Sequence, residues 1–262
     1  MPTAAALRLE IEHALERRFP AALTPAPRAM HEVATTGIRT VDELLGNVQP
    51  GGLPVGAISE LTGAASSGRT SLALQFVAQR TAEARACAWV DVNDAFDPES
   101  AAANGVRLKQ LLWMRCREEA GKTAGRWRAK PLWTRLDQGL RATDLLLQAG
   151  GFAAIVLDLG DTAPEQASRI PLATWFRYRQ AAERTQCSLV VVGTRGYAQS
   201  AAVVVLECVA QRTEAAGGTV LRGFEFAVRR GRERQAPIEI TTRKPPAATW
   251  QANAAWDEEK RA

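Results

Sequence analysis

The chain has 262 residues, of which 46% are apolar and 23% charged, a composition that excludes a mainly disordered protein. Lys and Arg outnumber Asp and Glu 33 to 28, for a net charge of +5. No run of about 18 apolar residues occurs, and the opening MPTAAALRLEIEHALERR has no apolar signal-peptide core, so the expectation is a cytoplasmic protein, nucleoid-associated if it meets DNA, with no membrane contact.

Residues 5–18 carry Leu7, Ile11 and Leu15 between charges, the pattern of a short amphipathic helix. Three prolines make 19–27 a linker, and 36–45 predicts a second helix. From there strands and helices alternate. Strands are expected at 57–61, 86–91, 153–158 and 188–193, and helices at 70–83, 101–111, 140–149 and 171–186. The later strands, at 202–209, 224–229 and 238–242, follow one another with no helices between. The fold class is therefore α/β: a mostly parallel twisted sheet flanked by helices, with an antiparallel edge. The expected division is an N-terminal helix and linker over 1–34, a core over 35–243, and a mobile polar tail over 244–262.

Positive charge is clustered. Ten basic residues face three acidic ones over 107–141, and eight face four over 212–244. Either cluster suits a polyanion, and either also suits a plainly solvated face. Trp113, Trp127 and Trp133 lie inside the first cluster, where stacking on nucleic-acid bases and packing on the core are both open. Cys87, Cys187 and Cys208 sit beside apolar strand patterns and read as small buried hydrophobes. No cysteine is paired at CxxC spacing, and His13 and His31 precede the core, so no structural metal is expected.

GAASSGRT at 63–70 falls between a predicted strand and a predicted helix. A phosphate loop reads G-x-x-x-x-G-K-[ST], and Gly63, Gly68 and Thr70 fit it. Its glycines let main-chain amides wrap an anion at a helix N-terminus. Arg69 stands where Lys belongs, and a planar guanidinium does not replace a compact ammonium without rearrangement. Candidate nucleotide contacts are Gly63, Ser66, Ser67, Gly68, Arg69, Thr70, Ser71 and Asp97. Thr70 and Asp158, which ends AAIVLD, are candidates to hold Mg²⁺ with ATP.

GGLPVGAISELTGAASSGRTSLALQFVA at 51–78 resembles the opening of the RecA recombinase core. ACAWVDVNDAFDPESAAANGVRLKQLL at 86–112 resembles that family's next strand, acidic turn and Gly-Val step. The resemblance implies a RecA-like phosphate-loop core from about 35 to 243. It also implies a water-orienting Glu in the family's D-x-E-x-x-x-D-P motif, where this chain has Asn93. Asn is uncharged and takes no proton from water at neutral pH, so no catalytic residue is expected there. The family's adenine-stacking Tyr corresponds to Ser100. Only TRGYAQS separates the strand at 188–193 from the next, where RecA carries a long Gly-rich DNA loop. Arg195 and Tyr197 remain candidate DNA contacts, and Arg230 and Arg232 resemble the basic pair that RecA extends across its subunit interface. Trp250 and Trp256, in an otherwise polar tail, are candidate partner anchors.

These departures are most similar to the ImuA family, degenerate RecA relatives that support translesion synthesis in the bacterial SOS response. That resemblance implies a DNA-damage role without ATP hydrolysis, a polymerase-like partner of the ImuB type, and RecA and single-stranded DNA as further candidate partners. The alternative is an active RecA-type recombinase or DNA-repair ATPase, with Asp94 in place of the missing base.

Overall fold

The computed structural model describes residues 32–46, 51–117, 133–216, 220–233 and 247–253, all within one compact unit spanning 31–262. The expected helix at 5–18, the linker at 19–27, the strand at 238–242, and Trp127 and Trp256 lie outside the described residues. No described helix is long and apolar enough to cross a membrane.

In chain order the elements are β1 (Val33–Ala34), α1 (Arg39–Leu45), β2 (Leu53–Pro54), β3 (Ile58–Thr62), α2 (Arg69–Ala82), β4 (Cys87–Asp91) and α3 (Pro98–Ala103). Then come β5 (Leu111–Arg115), α4 (Arg135–Ala149), β6 (Ala154–Asp158), α5 (Pro164–Ala167), α6 (Leu172–Thr185), β7 (Ser188–Gly193), β8 (Ala202–Ala216), β9 (Val220–Glu233) and β10 (Ala247–Asn253). Single 3₁₀ turns at Leu108–Gln110 and Gln199–Ala201 lead into β5 and β8.

Eight strands form one sheet in the order β10-β9-β8-β3-β7-β6-β4-β5. From β5 to β8 all neighbours are parallel, and β8, β9 and β10 pair antiparallel. Alternation along each strand divides the core into two layers. In β6, Ala154 and Val156 face the layer that holds α2, with Leu72, Phe76 and Val77. Ile155 and Leu157 face the layer under α4 and α6, with Leu147, Trp175 and Tyr178. This apolar-on-both-faces pattern is what a covered parallel sheet requires. It brings the C-terminal ends of β3, β7, β6 and β4 to one rim. All four cysteines are buried and free, and burial pushes the Cys87, Cys187 and Cys208 thiols up to about 12.

Three expectations are corrected. The helix at 101–111 is instead α3, a 3₁₀ turn and the start of the edge strand β5, because LLWMR is too short an apolar run to distinguish helix from strand by period. α4 begins at Arg135, five residues early, because Thr134 and Asp137 close a capping box. The polar tail expected from 244 supplies β10 instead, and its side chains alternate: Ala248 and Trp250 are buried, Thr249 and Gln251 exposed. Thr40 on α1 donates to the Thr249 carbonyl at 2.9 Å, which ties this strand back to the helix.

Candidate functional site

The phosphate loop joins β3 to α2 on the rim. Two glycines set its path. A side chain at Gly63 would collide with the Cys208 carbonyl and Ser67 Oγ. Gly68, at φ +87°, caps α2 in the left-handed region, and a Cβ there would lie 2.6 Å from Phe226 Cγ and 2.9 Å from Trp250 Cζ2. Ser66 is exposed at φ +59°, Ser67 is buried, Thr70 is exposed and Ser71 half-buried. The Ser67 amide donates inward to the Ala64 carbonyl at 3.2 Å. A cavity of about 330 Å³ opens between Ser66–Ser71, Asp161 and the rings of Phe224 and Phe226.

Arg69 does not face that cavity as a free cation. It is 6% exposed, and its guanidinium donates to the carbonyl of Gly63, to that of Gly193 at 3.3 Å and to that of Gly160 at 2.9 Å. These acceptors follow or end β3, β7 and β6. Asp158 is buried at the end of β6 and accepts from the Gly160 amide at 2.9 Å. Burial pushes its carboxyl up to about 6, with Asp91 adding to the rise and the Gly160 amide and Arg69 opposing it.

The neighbouring strand end is equally committed. Asp91, fully buried, accepts from the amides of Ala95 at 2.9 Å and Phe96 at 3.0 Å and from Trp113 Nε1 at 3.2 Å. Asn93 Nδ2 lies 3.2 Å from the Thr162 hydroxyl, so its carboxamide braces the turn after Asp158. Asp94 pairs with Arg115 at 2.6 Å, and the pair holds the exposed Asp94 carboxyl below its ordinary range. Asp97, expected at the nucleotide, instead caps α3, accepting from the Glu99 and Ser100 amides at 3.2 and 3.1 Å and from the Ser100 hydroxyl. The Pro-led helix leaves those amides without intrahelical acceptors, which is why the acid turns there.

The short turn after β7 is pinned from below. Glu60, buried in the middle of β3, accepts from the Tyr197 amide at 2.5 Å and the Ala198 amide at 2.8 Å. Tyr197 is 5% exposed with its hydroxyl 2.8 Å from Thr194 Oγ1, so the ring offers no face to a base. Arg195 is exposed and donates to Ser168 Oγ at 2.6 Å and the Pro164 carbonyl at 3.2 Å. A cavity of about 1020 Å³ lies between this turn, the phosphate loop and β8. Glu60 lines it, and its only signal in the sequence was a carboxylate inside an apolar strand.

The remaining candidates separate. Arg230 and Arg232 pair with Leu206 and Val205 of β8, past the last residue of β9 that pairs with β10, and Arg230 is half-buried. Trp250, expected to be an exposed anchor, is 8% exposed and packs on Phe226 at 5.1 Å between ring centroids, because β10 returns it to the sheet. Trp113 packs on Phe96 at 5.3 Å, whereas Trp133 stays exposed under the Arg141 guanidinium at 5.2 Å. Among the described residues no cluster of His, Cys, Asp or Glu could hold a metal ion.

The RecA N-terminal domain family matches residues 6–124. RecA of Allorhizobium ampelinum is 30% identical over 175 residues, covering 62% of this chain and 43% of that protein. In sequence the chain is similar to RecA over this part of its length. RecA proteins of Agrobacterium fabrum and Bordetella petrii match at 29% over the same length and shares, so this chain spans under half the length of these relatives. Its fold is similar to the crystal structure of the RadB recombinase, with a TM-score of 0.54 and 17% identity over 82% of this chain and 94% of that one.

For a chain similar to RecA the implied cargo of the loop is ATP with Mg²⁺. The glycine-shaped backbone and the exposed Thr70 hydroxyl fit it. The cation and the acid do not: Arg69 is spent on carbonyls, and Asp158 is buried beside it.

Proposed function

We propose that this chain is a RecA-like accessory protein of the bacterial response to DNA damage, supporting translesion synthesis through protein contacts and without ATP hydrolysis. The observation that carries the reading is Asn93. It occupies the position where the resemblance puts a water-orienting glutamate, and its carboxamide is engaged with Thr162. An amide cannot act as a general base at neutral pH. The buried Tyr197 and the pinned 194–200 turn add to this, because strand exchange needs a surface that can reorganise around DNA.

On this reading the sheet rim is a scaffold and the partner is a polymerase-like protein of the ImuB type. RecA and single-stranded DNA are further candidates, met through the basic residues Arg195, Arg230 and Arg232. The protein would act in the cytoplasm, at the nucleoid.

The test is steady-state ATP turnover with and without single-stranded DNA, beside co-purification with the polymerase-like partner from damaged cells. The expected result is turnover at the no-protein background together with capture of that partner. Turnover stimulated by single-stranded DNA would instead place the chain with the recombinases. The glycine frame of Gly63 and Gly68 with the exposed Thr70 hydroxyl favours that second reading.

A further inference from the structure

We propose that Arg69 is a resident latch, which fills the cationic role at the phosphate loop from within and excludes a nucleoside triphosphate while it is closed. The proposal rests on the reading that this chain works without ATP turnover, and it names what regulates that same loop.

One guanidinium joins three separate segments. Its donors reach the carbonyls of Gly63 at the start of the loop, Gly193 at the end of β7, and Gly160 two residues beyond β6. Arg can do this because its planar fork carries five N–H donors at fixed angles, whereas the three donors of a lysine ammonium radiate from one atom. Arg69 is nearly inaccessible to solvent, so opening the latch would take the donor from the buried Gly63 carbonyl, while the Gly193 carbonyl would keep the Gly63 amide at 3.2 Å.

The position of the acid has the same meaning. A methyl group built on Gly160 would lie 3.0 Å from Asp158 Oδ1 and 3.1 Å from Arg69 Nη2. The guanidinium and the candidate metal-binding carboxylate therefore flank one point. Asp158 thus has the Arg69 guanidinium close by, where a phosphate loop at work would place Mg²⁺.

The loop is also covered at one point. Phe226 and Trp250 cover Gly68, and the Ser67 amide is turned inward to Ala64. An incoming triphosphate would have to win Arg69 away from its carbonyls before gaining a cation. The loop then needs no nucleotide to hold its shape.

Arg69→Lys in the full chain tests this. Thermal unfolding and titration calorimetry would be run with MgATP up to about 1 mM, a range that reports any affinity of biological use. The wild-type protein should show no MgATP-dependent rise in Tm. The lysine variant should melt lower without nucleotide and bind MgATP about tenfold or more tightly than wild type. A lysine variant lacking either change overturns the latch.

Should that variant not fold, amide hydrogen exchange on the wild-type protein decides. Slow exchange over 63–70 that MgATP leaves unchanged supports the latch. Fast exchange without nucleotide, or new protection with it, overturns it. Wild-type binding of MgATP without turnover sinks the latch alone, whereas wild-type turnover sinks the accessory reading with it.

Discussion

Two neighbouring turns on the rim are held by opposite means. The loop after β3 is tied by a buried cation on main-chain carbonyls, Arg69 on Gly63, Gly193 and Gly160. The turn after β7 is tied by a buried anion on main-chain amides, Glu60 on Tyr197 and Ala198. Both are places where a nucleotide- and DNA-handling protein needs main-chain groups free for a ligand. In each the chain supplies the ion itself, and a buried charge is tolerated only when its hydrogen bonds are made. The difference is one of reach. Glu60 joins two adjacent amides of one turn, while Arg69 joins three strand ends.

The comparison can be broken at its strongest point. Glu60→Ala strips the acceptor from two buried amides, for a loss of about 3–4 kcal/mol in denaturant unfolding, since each such group costs about 1–3 kcal/mol unpaired. A loss under about 1 kcal/mol would mean the turn holds itself. A pH series separates the two turns next. The Asp158 carboxyl stands near 6 against an ordinary 3.8, so ionising it costs the folded state. Its contribution is fully present below about pH 4 and is lost as pH rises through 6, a fall of about 3 kcal/mol at about 1.4 kcal/mol for each pH unit between the two values. Asp158→Asn should flatten that part of the stability curve and leave the contribution of Glu60 untouched.

Smaller effects sharpen the picture. Gly68→Ala meets both a positive φ and the Phe226 ring, and should cost about 2 kcal/mol, read as a lower denaturation midpoint. Phe226→Ala beside it should relieve part of that cost, giving a measurable coupling. Arg195→Ala removes two exposed hydrogen bonds and should change stability by no more than about 0.5 kcal/mol. Loss of single-stranded DNA binding on that substitution, with stability intact, would restore the turn as a nucleic-acid contact.

Much of the rim was legible beforehand. Six apolar or β-branched runs located β3, β4, β6, β7, β8 and β9, and with β3 the phosphate loop between its strand and helix, because a covered sheet needs apolar residues along its strands. The strand expected at 188–193 has those bounds in the fold. β5 was missed because a run of four apolar residues, Leu111 to Met114, satisfies either period. β10 was missed because its sequence is mostly Ala, Thr, Gln and Asn, and only Trp250 betrays an inward face. The roles of Asp97 and Tyr197 were misread for another reason. A capping acid and a ligand-binding acid look alike in sequence, as do a buried and an exposed tyrosine in a short loop.

The sequence by itself determined the α/β alternation, the glycine frame of the loop, the place of Asp158 at a strand end and the two substitutions, Arg69 and Asn93, that depart from the RecA pattern. These are local properties of period, backbone freedom and residue type. Only the tertiary structure decided where the Arg69 guanidinium goes, what Glu60 is for, and that Trp250 belongs to the sheet. The acceptors of Arg69 lie up to 124 positions away in the chain, and those amides bonded by Glu60 lie 137 and 138 positions away. A buried ion takes whichever partners the fold brings within about 3 Å, and no spacing along the chain encodes that.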